Sequence, residues 1–458
     1  MRSLSLLRRA SSLIAAGLAS SAVLGCAEDI PVLEGPGNAA GSATGAGGAG
    51  TGGTAGASTG GPSTGPGAGG GSGACASLAL AGPPVYVEPP NAGEQSSPAL
   101  TLSRDDAAQA SVAFQHTPYV DLYAPEISYA SFAPWGAWPS ALGSSGHAIA
   151  AAPASFVVSR TAGDSFNVLS TQGDQFASGT WFVPRVVPQK TPPGSVLLGV
   201  SATRVPFVAT AGSRHLLGVE SAAGQGSGVG AIPATSTSEG AVDVKEQVFL
   251  GCANGGPMPA DAVASGTAWL VAFANGASSP GCFDPELPGP PHAIHVVRIL
   301  EDGTFTTGAM LPQGGPIAQI AMAEHSDGAW LVWQKASGGK IAPIQAARLD
   351  AMGDVVLGPV DVVPSEGEPV SFGIDRLGDD LAIAWGFAGL NARAPGIVAG
   401  RVRDDGVVVA SASLDGPILT GPPSVLGAPG GDQILVGLGI LNDHPEVAVA
   451  RFDCASMP

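Results

Sequence analysis

The chain contains 458 residues, of which 68 are Gly and 40 are Pro, and only 12% are charged. This composition is typical of short strands joined by tight turns and excludes a protein built from long helices. The formal net charge of −18 opposes the negative phosphates of DNA and RNA, so we expect no nucleic-acid partner.

Residues 1–25 have the pattern of a secretory signal peptide. An uncharged, largely apolar run covers residues 10–24, which is shorter than the roughly 20 residues that a membrane-spanning helix needs. Positive charge precedes this run at three arginines: Arg2, Arg8 and Arg9. Their loss with the signal peptide would change the formal net charge from −18 to −21.

The apolar run ends at Gly25 and Cys26, and this junction resembles the lipobox of bacterial lipoproteins. Leu24 departs from that pattern, in which a small residue is more usual. The resemblance implies cleavage before Cys26, followed by attachment of lipid to its thiol and its new amine. Ala27, rather than Asp, follows the cysteine, and by resemblance to the usual sorting pattern this favours the outer membrane. The alternative is an ordinary signal peptide with an unrelated cysteine at its end.

We therefore expect a protein of the bacterial cell envelope that contacts the membrane through lipid on Cys26. It would lie on the periplasmic or the surface-exposed side of the outer membrane. Residues 26–74 follow the cleavage site, and their stretch 35–74 contains eighteen Gly with no charged or aromatic residue. Such a segment cannot bury enough apolar surface to offset its ordering entropy, so we predict a disordered tether. The folded domain would then comprise residues 75–458.

Landmarks in the second half of the chain recur with a period of about fifty residues. Arginines followed by an aliphatic or aromatic residue lie 50, 53 and 50 residues apart, at Arg298, Arg348, Arg401 and Arg451. The first three precede a Gly by five residues, and this pattern predicts a strand that ends in a tight turn. Short apolar runs keep step with the arginines and are typical of strands buried on both faces.

Four strands per unit at this period indicate a β-propeller blade. We therefore predict an all-β propeller of six or seven four-stranded blades, similar in broad terms to propeller-type bacterial lipoproteins. The repeats are clear over residues 260–458, and strands around residues 155–159 and 214–219 suggest degenerate blades upstream. The last unit lacks one strand, which residues 85–87 could supply. A row of β-sandwich domains is the alternative, but it would not repeat every four strands.

Four cysteines remain after Cys26, and an even number in an exported chain predicts disulfides. Three pairings are possible, and we favour Cys252 with Cys282, which closes a local loop, and Cys75 with Cys454, which joins the ends of the domain. The four are too scattered for a zinc site of ordinary spacing.

The chain has no G-x-S-x-G elbow, no P-loop and no EF-hand loop. Its one S-x-x-K match, at Ser337 and Lys340, lies in a predicted Gly-rich hairpin rather than on the helix that the chemistry of serine acyl enzymes needs. We predict no catalytic residue, no cofactor and no metal site. His292 and His295 precede a predicted strand, where residues three apart point to opposite faces and cannot share a metal. The recurring Arg and Asp residues are expected to pair or to cap turns.

Aromatic residues cluster once outside the repeats, and Tyr129, Trp135 and Trp138 are candidate contacts for a ligand. The alternative is that they pack an irregular blade. The sequence thus favours a non-enzymatic binding or scaffolding module for a protein or a glycan. Two alternatives stay open: an exported carbohydrate-active hydrolase or lyase that uses loop carboxylates, and a structural component of the envelope.

Overall fold

The structure is a computed structural model, and its described residues run from 77 to 455 with gaps. The gaps are residues 89–92, 103–109, 119–125, 135–136, 145–152, 161–165, 174–177, 187–195, 199, 201, 224–225, 238–240, 255–257, 275–291, 337–341 and 388–393. The predicted signal peptide, Cys26, the predicted tether, Cys75, Cys282 and Trp135 therefore lie outside the described residues.

The described residues form seven sheets, which we number as blades in chain order; their strands pair antiparallel except for β2 with β6. Two strands precede blade 1: β1 (Ser77–Leu80) and β2 (Val85–Glu88). Blade 1 contains β3 (Gly93–Leu102), β4 (Ala110–Pro118) and β5 (Glu126–Phe132), followed by the short β6 (Leu142–Gly143). Blade 2 contains β7 (Pro153–Arg160), β8 (Phe166–Gly173), β9 (Ser178–Val186) and β10 (Val196–Leu197). Blade 3 contains β11 (Val208–Ala211), β12 (Arg214–Ala223), β13 (Gly226–Ser236), β14 (Val242–Val244) and β15 (Val248–Asn254).

The last four blades follow the same order more regularly. Blade 4 contains β16 (Ala260–Ser265), β17 (Ala268–Ala274), β18 (Ala293–Leu300) and β19 (Phe305–Pro312). Blade 5 contains β20 (Ile317–His325), β21 (Gly328–Lys335), β22 (Ile344–Asp350) and β23 (Val355–Val363). Blade 6 contains β24 (Pro369–Leu377), β25 (Asp380–Phe387), β26 (Gly396–Val402) and β27 (Val408–Asp415). Blade 7 contains β28 (Ser424–Gly427), β29 (Gln433–Leu441) and β30 (Pro445–Ala455).

The first strands of the seven blades contact one another in a closed ring. In order around the ring they are β3, β7, β11, β16, β20, β24 and β28, and β28 contacts β3 again. This closure makes the domain a seven-bladed β-propeller, which confirms the predicted fold class. The clear period-fifty repeats correspond to blades 4 to 7, and the two degenerate regions are indeed strands, in β7 and β12.

The sequence landmarks fall at equivalent places in the blades. The apolar runs are the second strands, and every residue of β17, β21 and β25 is buried except Lys335. These strands are apolar on both faces because each face packs against a neighbouring blade. The turns between third and fourth strands hold Gly303, Gly353 and Gly406 at φ values of 86°, 88° and 84°. Only Gly adopts this conformation without strain, which explains its position five residues after the Arg.

The N-terminal strands complete blade 7. Strand β1 pairs with β30 from Ser77 opposite Ala455 to Leu80 opposite Phe452, and β2 continues along the same strand with Val85 opposite Val449. The predicted closure by residues 85–87 is therefore confirmed, and β1 extends it. Among the described residues, the helical structure is one short 3-10 turn, Ser365–Gly367, and no helix is long and apolar enough to cross a membrane.

Three of the four repeated arginines form ion pairs with aspartates, as predicted: Arg348, Arg401 and Arg451. Arg401 of β26 pairs with Asp380 of the neighbouring strand β25. Arg348 of blade 5 instead reaches Asp404 in the turn of blade 6, and His325 Nε2 lies 3.1 Å from the same carboxylate. These contacts stabilise the outer parts of blades and the junctions between them.

Candidate functional site: the central cavity

A cavity of about 590 Å³ lies where the first strands of the blades meet. Residues from all seven first strands line it, together with the connection from blade 6 to blade 7. Its size falls in the ordinary range for small-molecule sites. The propeller therefore provides one concave site on its axis, assembled from segments that are far apart in sequence.

One end of the cavity carries a ring of side chains from five consecutive blades. Each is the penultimate residue of its first strand, just before the hairpin to the second strand. Rotation about the propeller axis therefore places them at one level, which we call the hairpin-end ring. Its members are Ser159, Thr210, Ala264, Glu324 and Arg376, and all of them line the cavity.

Two cavity-lining aspartates connect neighbouring blades. Asp261 of blade 4 accepts a hydrogen bond from Met322 N of blade 5 at 2.7 Å and another from Ala262 N at 2.8 Å. Asp375 of blade 6 accepts one from Gly427 N of blade 7 at 2.9 Å. Burial raises the pKa of Asp261 to about 7, although the two N–H donors oppose this shift.

Gln319 forms a two-bond connection of the same kind between blades 5 and 6. Its Nε2 donates to the carbonyl oxygen of Phe372 at 2.5 Å, and its Oε1 accepts from Phe372 N at 3.2 Å. Both atoms of the amide group are therefore engaged by the backbone of the next first strand. The polar side chains of this wall hold the ring together as well as facing the cavity.

A buried network of hydroxyl, amide and imidazole groups stands behind the hairpin-end ring between blades 2 and 3. Ser159 Oγ lies 2.7 Å from Thr210 Oγ1, and Asn167 Nδ2 donates to both oxygens, at 3.3 and 3.0 Å. Thr210 Oγ1 is 3.2 Å from Nδ1 of His215, whose Nε2 lies 2.8 Å from Ser236 Oγ. We call these five residues the Ser159 relay.

The imidazole in this relay is neutral at ordinary pH. His215 is fully buried and packs against the ring of Phe182, with 5.0 Å between ring centroids. Burial lowers the pKa of His215 to about 4, because its charged form would lose its hydration. One ring nitrogen of a neutral imidazole donates and the other accepts, so the network has two possible directions.

The connection between blades 6 and 7 also contributes to the cavity wall. It lines the cavity with Thr420, Gly421, Pro422 and Pro423. Just before these residues, Leu441 N of β29 donates to the carbonyl oxygen of Ile418, which holds the connection against blade 7.

The predicted aromatic contacts lie away from the cavity. Tyr129 is fully buried between blades 1 and 2 and packs edge-on against Phe166, with 5.6 Å between centroids. Trp138 is half-buried; its ring contacts Phe132, and the guanidinium of Arg451 lies 5.1 Å from its centroid. In this conformation both rings serve packing. Trp135 lies outside the described residues.

Sequence reasoning missed the cavity-lining residues for a physical reason. Ser159 and Thr210 belong to blades 2 and 3, whose repeats are too degenerate to give strand boundaries from the sequence. The cavity-lining residues could have been found as the penultimate residues of the first strands. Those positions can be identified only after the strand boundaries are known. The predicted Cys252–Cys282 disulfide stays a prediction, because only the backbone of Cys252, in β15, is described and Cys282 lies outside the described residues.

Comparisons with known proteins give similar folds at low identity. No protein-family model and no curated protein matches the chain. A protein of unknown function from Dyadobacter fermentans is 10% identical, with a TM-score of 0.44 over 82% of this chain and 99% of that one. A subtype N10 neuraminidase-like protein of an influenza virus from a little yellow-shouldered bat is 10% identical, with a TM-score of 0.41 over 83% and 100%. The Aleuria aurantia lectin, solved with α-methyl-L-fucoside, is 12% identical, with a TM-score of 0.41 over 68% and 94%. At these values none of them bears on the function of this chain.

Proposed function

We propose that the protein is a lipid-anchored binding module of the bacterial cell envelope, and that its ligand occupies the central cavity. The observation that carries this proposal is how the charged side chains of the cavity are used. Both oxygens of Asp261 and one oxygen of Asp375 accept backbone N–H groups, and Arg376 Nε donates to the carbonyl oxygen of Gly378. Glu324, the other charged residue of the lining, also interacts with another group. The charged groups are therefore held in structural interactions, and the aliphatic, hydroxyl and backbone groups of the wall are left for a ligand.

Such a cavity wall suits reversible binding, without chemical conversion, of an uncharged part of a ligand. An aliphatic surface contributes affinity through apolar burial, and a few hydroxyl and backbone groups provide orientation. Lipid on Cys26 and the Gly-rich segment after it would hold this cavity near the outer membrane. The ligand would then be a protein segment or a glycan of the envelope.

Filling the cavity tests the proposal. Ala264 is a small member of the hairpin-end ring, and Ala264→Trp would occupy the space that a ligand needs. We expect saturation-transfer NMR signals from bound envelope saccharides or peptides to fall at least about tenfold with this variant, since steric exclusion removes the site.

Ala351→Trp is the matched control, because Ala351 is exposed in a turn of blade 5 outside the cavity. Both variants should retain the circular dichroism spectrum of the parent chain. Undiminished binding by a folded Ala264→Trp protein would contradict the proposal.

A carbohydrate-active enzyme is the second candidate, favoured by the raised pKa of Asp261. A cavity-lining carboxyl with a pKa of about 7 can donate a proton near neutral pH. Turnover of an envelope saccharide that is abolished by Asp261→Asn would establish this candidate and exclude a purely binding role. Saccharide binding without turnover would favour the binding module.

A further inference from the structure

We propose that Ser159 is the residue through which the cavity recognises a hydroxyl group of a neutral saccharide, and that the rest of the relay sets its hydrogen-bond direction. This inference rests on the proposed function, since it assumes that the cavity binds a ligand. It goes further by naming the contact residue and the chemical class of the ligand.

Each hydroxyl group of the relay can form a limited number of hydrogen bonds. A hydroxyl group donates one hydrogen bond and accepts two. If His215 Nδ1 carries the proton, it donates to Thr210 Oγ1, which also accepts from Asn167 Nδ2. Thr210 must then donate to Ser159. Ser159 Oγ receives this bond and the one from Asn167, so its own proton is left to point into the cavity.

The other tautomer reverses this direction. If His215 Nε2 carries the proton, it donates to Ser236 Oγ and leaves Nδ1 as an acceptor. Thr210 then donates to Nδ1 and accepts from Ser159 and Asn167. Ser159 Oγ still accepts from Asn167 and keeps one lone pair for a donor in the cavity.

Of the two relay members that line the cavity, Ser159 and Thr210, Thr210 has all its hydrogen bonds made in both tautomers. Ser159 keeps one free position, a donor in the first tautomer and an acceptor in the second, and it is partly exposed in the cavity wall. The ligand group that best matches it is another hydroxyl, because a hydroxyl also donates and accepts. A carboxylate could use only one tautomer, as could an ammonium group. Switching Ser159 from donor to acceptor costs little free energy, because moving one proton between the two nitrogens of the neutral His215 ring reverses the hydrogen bonds that link His215, Thr210 and Ser159.

The test uses the full chain and three neutral disaccharides: lactose, maltose and N,N′-diacetylchitobiose. Titration calorimetry should detect binding of at least one of them, and Ser159→Ala should weaken it about tenfold or more. Ser111→Ala is the matched control, because Ser111 Oγ lies 2.8 Å from Ser131 Oγ in a hydroxyl pair of blade 1 that does not line the cavity. This control should bind like the parent.

Two further measurements distinguish recognition from folding. Thr210→Val breaks the relay and should weaken binding, whereas Thr210→Ser keeps the hydroxyl and should restore it. The ¹⁵N chemical shifts of the His215 ring should change when the disaccharide is added, because the ligand selects one tautomer. Unchanged affinity in a folded Ser159→Ala protein, or unchanged His215 shifts on saturation, would overturn the inference.

Failure of this inference can be separated from failure of the proposed function. The apolar tripeptide acetyl-Val-Pro-Val-amide serves as the comparison probe. If it binds in an Ala264→Trp-sensitive manner and no disaccharide binds, the cavity is a peptide site and the assignment of Ser159 is wrong. If neither probe class binds the parent chain, both proposals fail.

Discussion

At the scale of single residues, His215 and Asp261 give the fold opposite pH dependences. His215 has a folded-state pKa of about 4, below its ordinary value of 6.5, so the unfolded chain binds its proton more tightly. Its contribution to stability is complete above pH 6.5 and is lost as the pH falls towards 4. Asp261 has a folded-state pKa of about 7, above the ordinary 3.8, so its contribution declines as the pH rises through that interval.

His215→Gln should isolate the first of these effects. Glutamine can retain hydrogen bonds to Thr210 and Ser236 but does not titrate. Between pH 7 and pH 4 the parent should lose about 3 kcal/mol of unfolding free energy relative to the variant, from a pKa difference of about 2.5 units. Urea unfolding curves at both pH values measure this difference.

His444→Gln is the control, because His444 is exposed in the turn between β29 and β30. Its urea curves should parallel those of the parent at both pH values. A parent and a His215→Gln protein with identical pH profiles would show that the relay does not hold His215 as a neutral group.

At the scale of elements, the polar residues of the first strands explain how seven blades whose sheets are joined only by connecting loops keep a fixed ring. The central edge of each first strand has no partner strand, so its backbone groups need other hydrogen-bond partners. Gln319 and Asp375 supply such partners across blades 5, 6 and 7. The same residues therefore satisfy the backbone and define the cavity wall.

Gln319→Ala should destabilise the domain by about 1–3 kcal/mol, because it leaves the N–H and carbonyl groups of Phe372 without these partners. Thermal and urea unfolding would report the loss. Gln345→Ala removes a comparable but exposed contact, with Asp361 in blade 5, and should change stability by less than about 0.5 kcal/mol. Equal effects of the two substitutions would argue against a role for the inter-blade connection.

Much of the element structure could be predicted from the sequence, but the site could not. Strands such as β21 and β25 can be predicted because both of their faces are buried, which gives a continuous apolar run in the sequence. The turn at Gly406 can be predicted because only Gly tolerates its backbone angles. The relay gives no such signal, because Ser159 and Thr210 look like any polar residues of a short strand. Their roles arise when two blades come together, a contact that no local pattern encodes.

At the scale of the whole molecule, the ring is closed by pairing segments from the two ends of the domain. Leu78 lies opposite Cys454 in the ladder between β1 and β30 and is buried in the core between blades 6 and 7. Cys75 lies three residues before Leu78 and outside the described residues, so the Cys75–Cys454 disulfide stays a prediction. Such a bond would tie the closing strand to the blade that it completes.

Peptide mapping by mass spectrometry without reduction should therefore recover Cys75 linked to Cys454. Replacing both residues by serine should lower stability by about 2–5 kcal/mol, because the unfolded chain would no longer be constrained by a very long loop. The double serine variant of Cys252 and Cys282 is the control and should leave the Cys75–Cys454 peptide intact. Recovery of Cys75 linked to either of those two residues would refute the pairing.

The pairing of β1 with β30 also fixes when the domain can finish folding. Ribosomes deliver the chain from its N-terminus, and the partner of Leu78, Cys454, is made 376 residues later. Until then β1 and the last blade both expose unsatisfied strand edges, which are the surfaces most prone to aggregate. If the chain is exported unfolded, as we propose, it meets this problem on the far side of the membrane. Periplasmic chaperones that cover strand edges would then determine its yield more strongly than its equilibrium stability does.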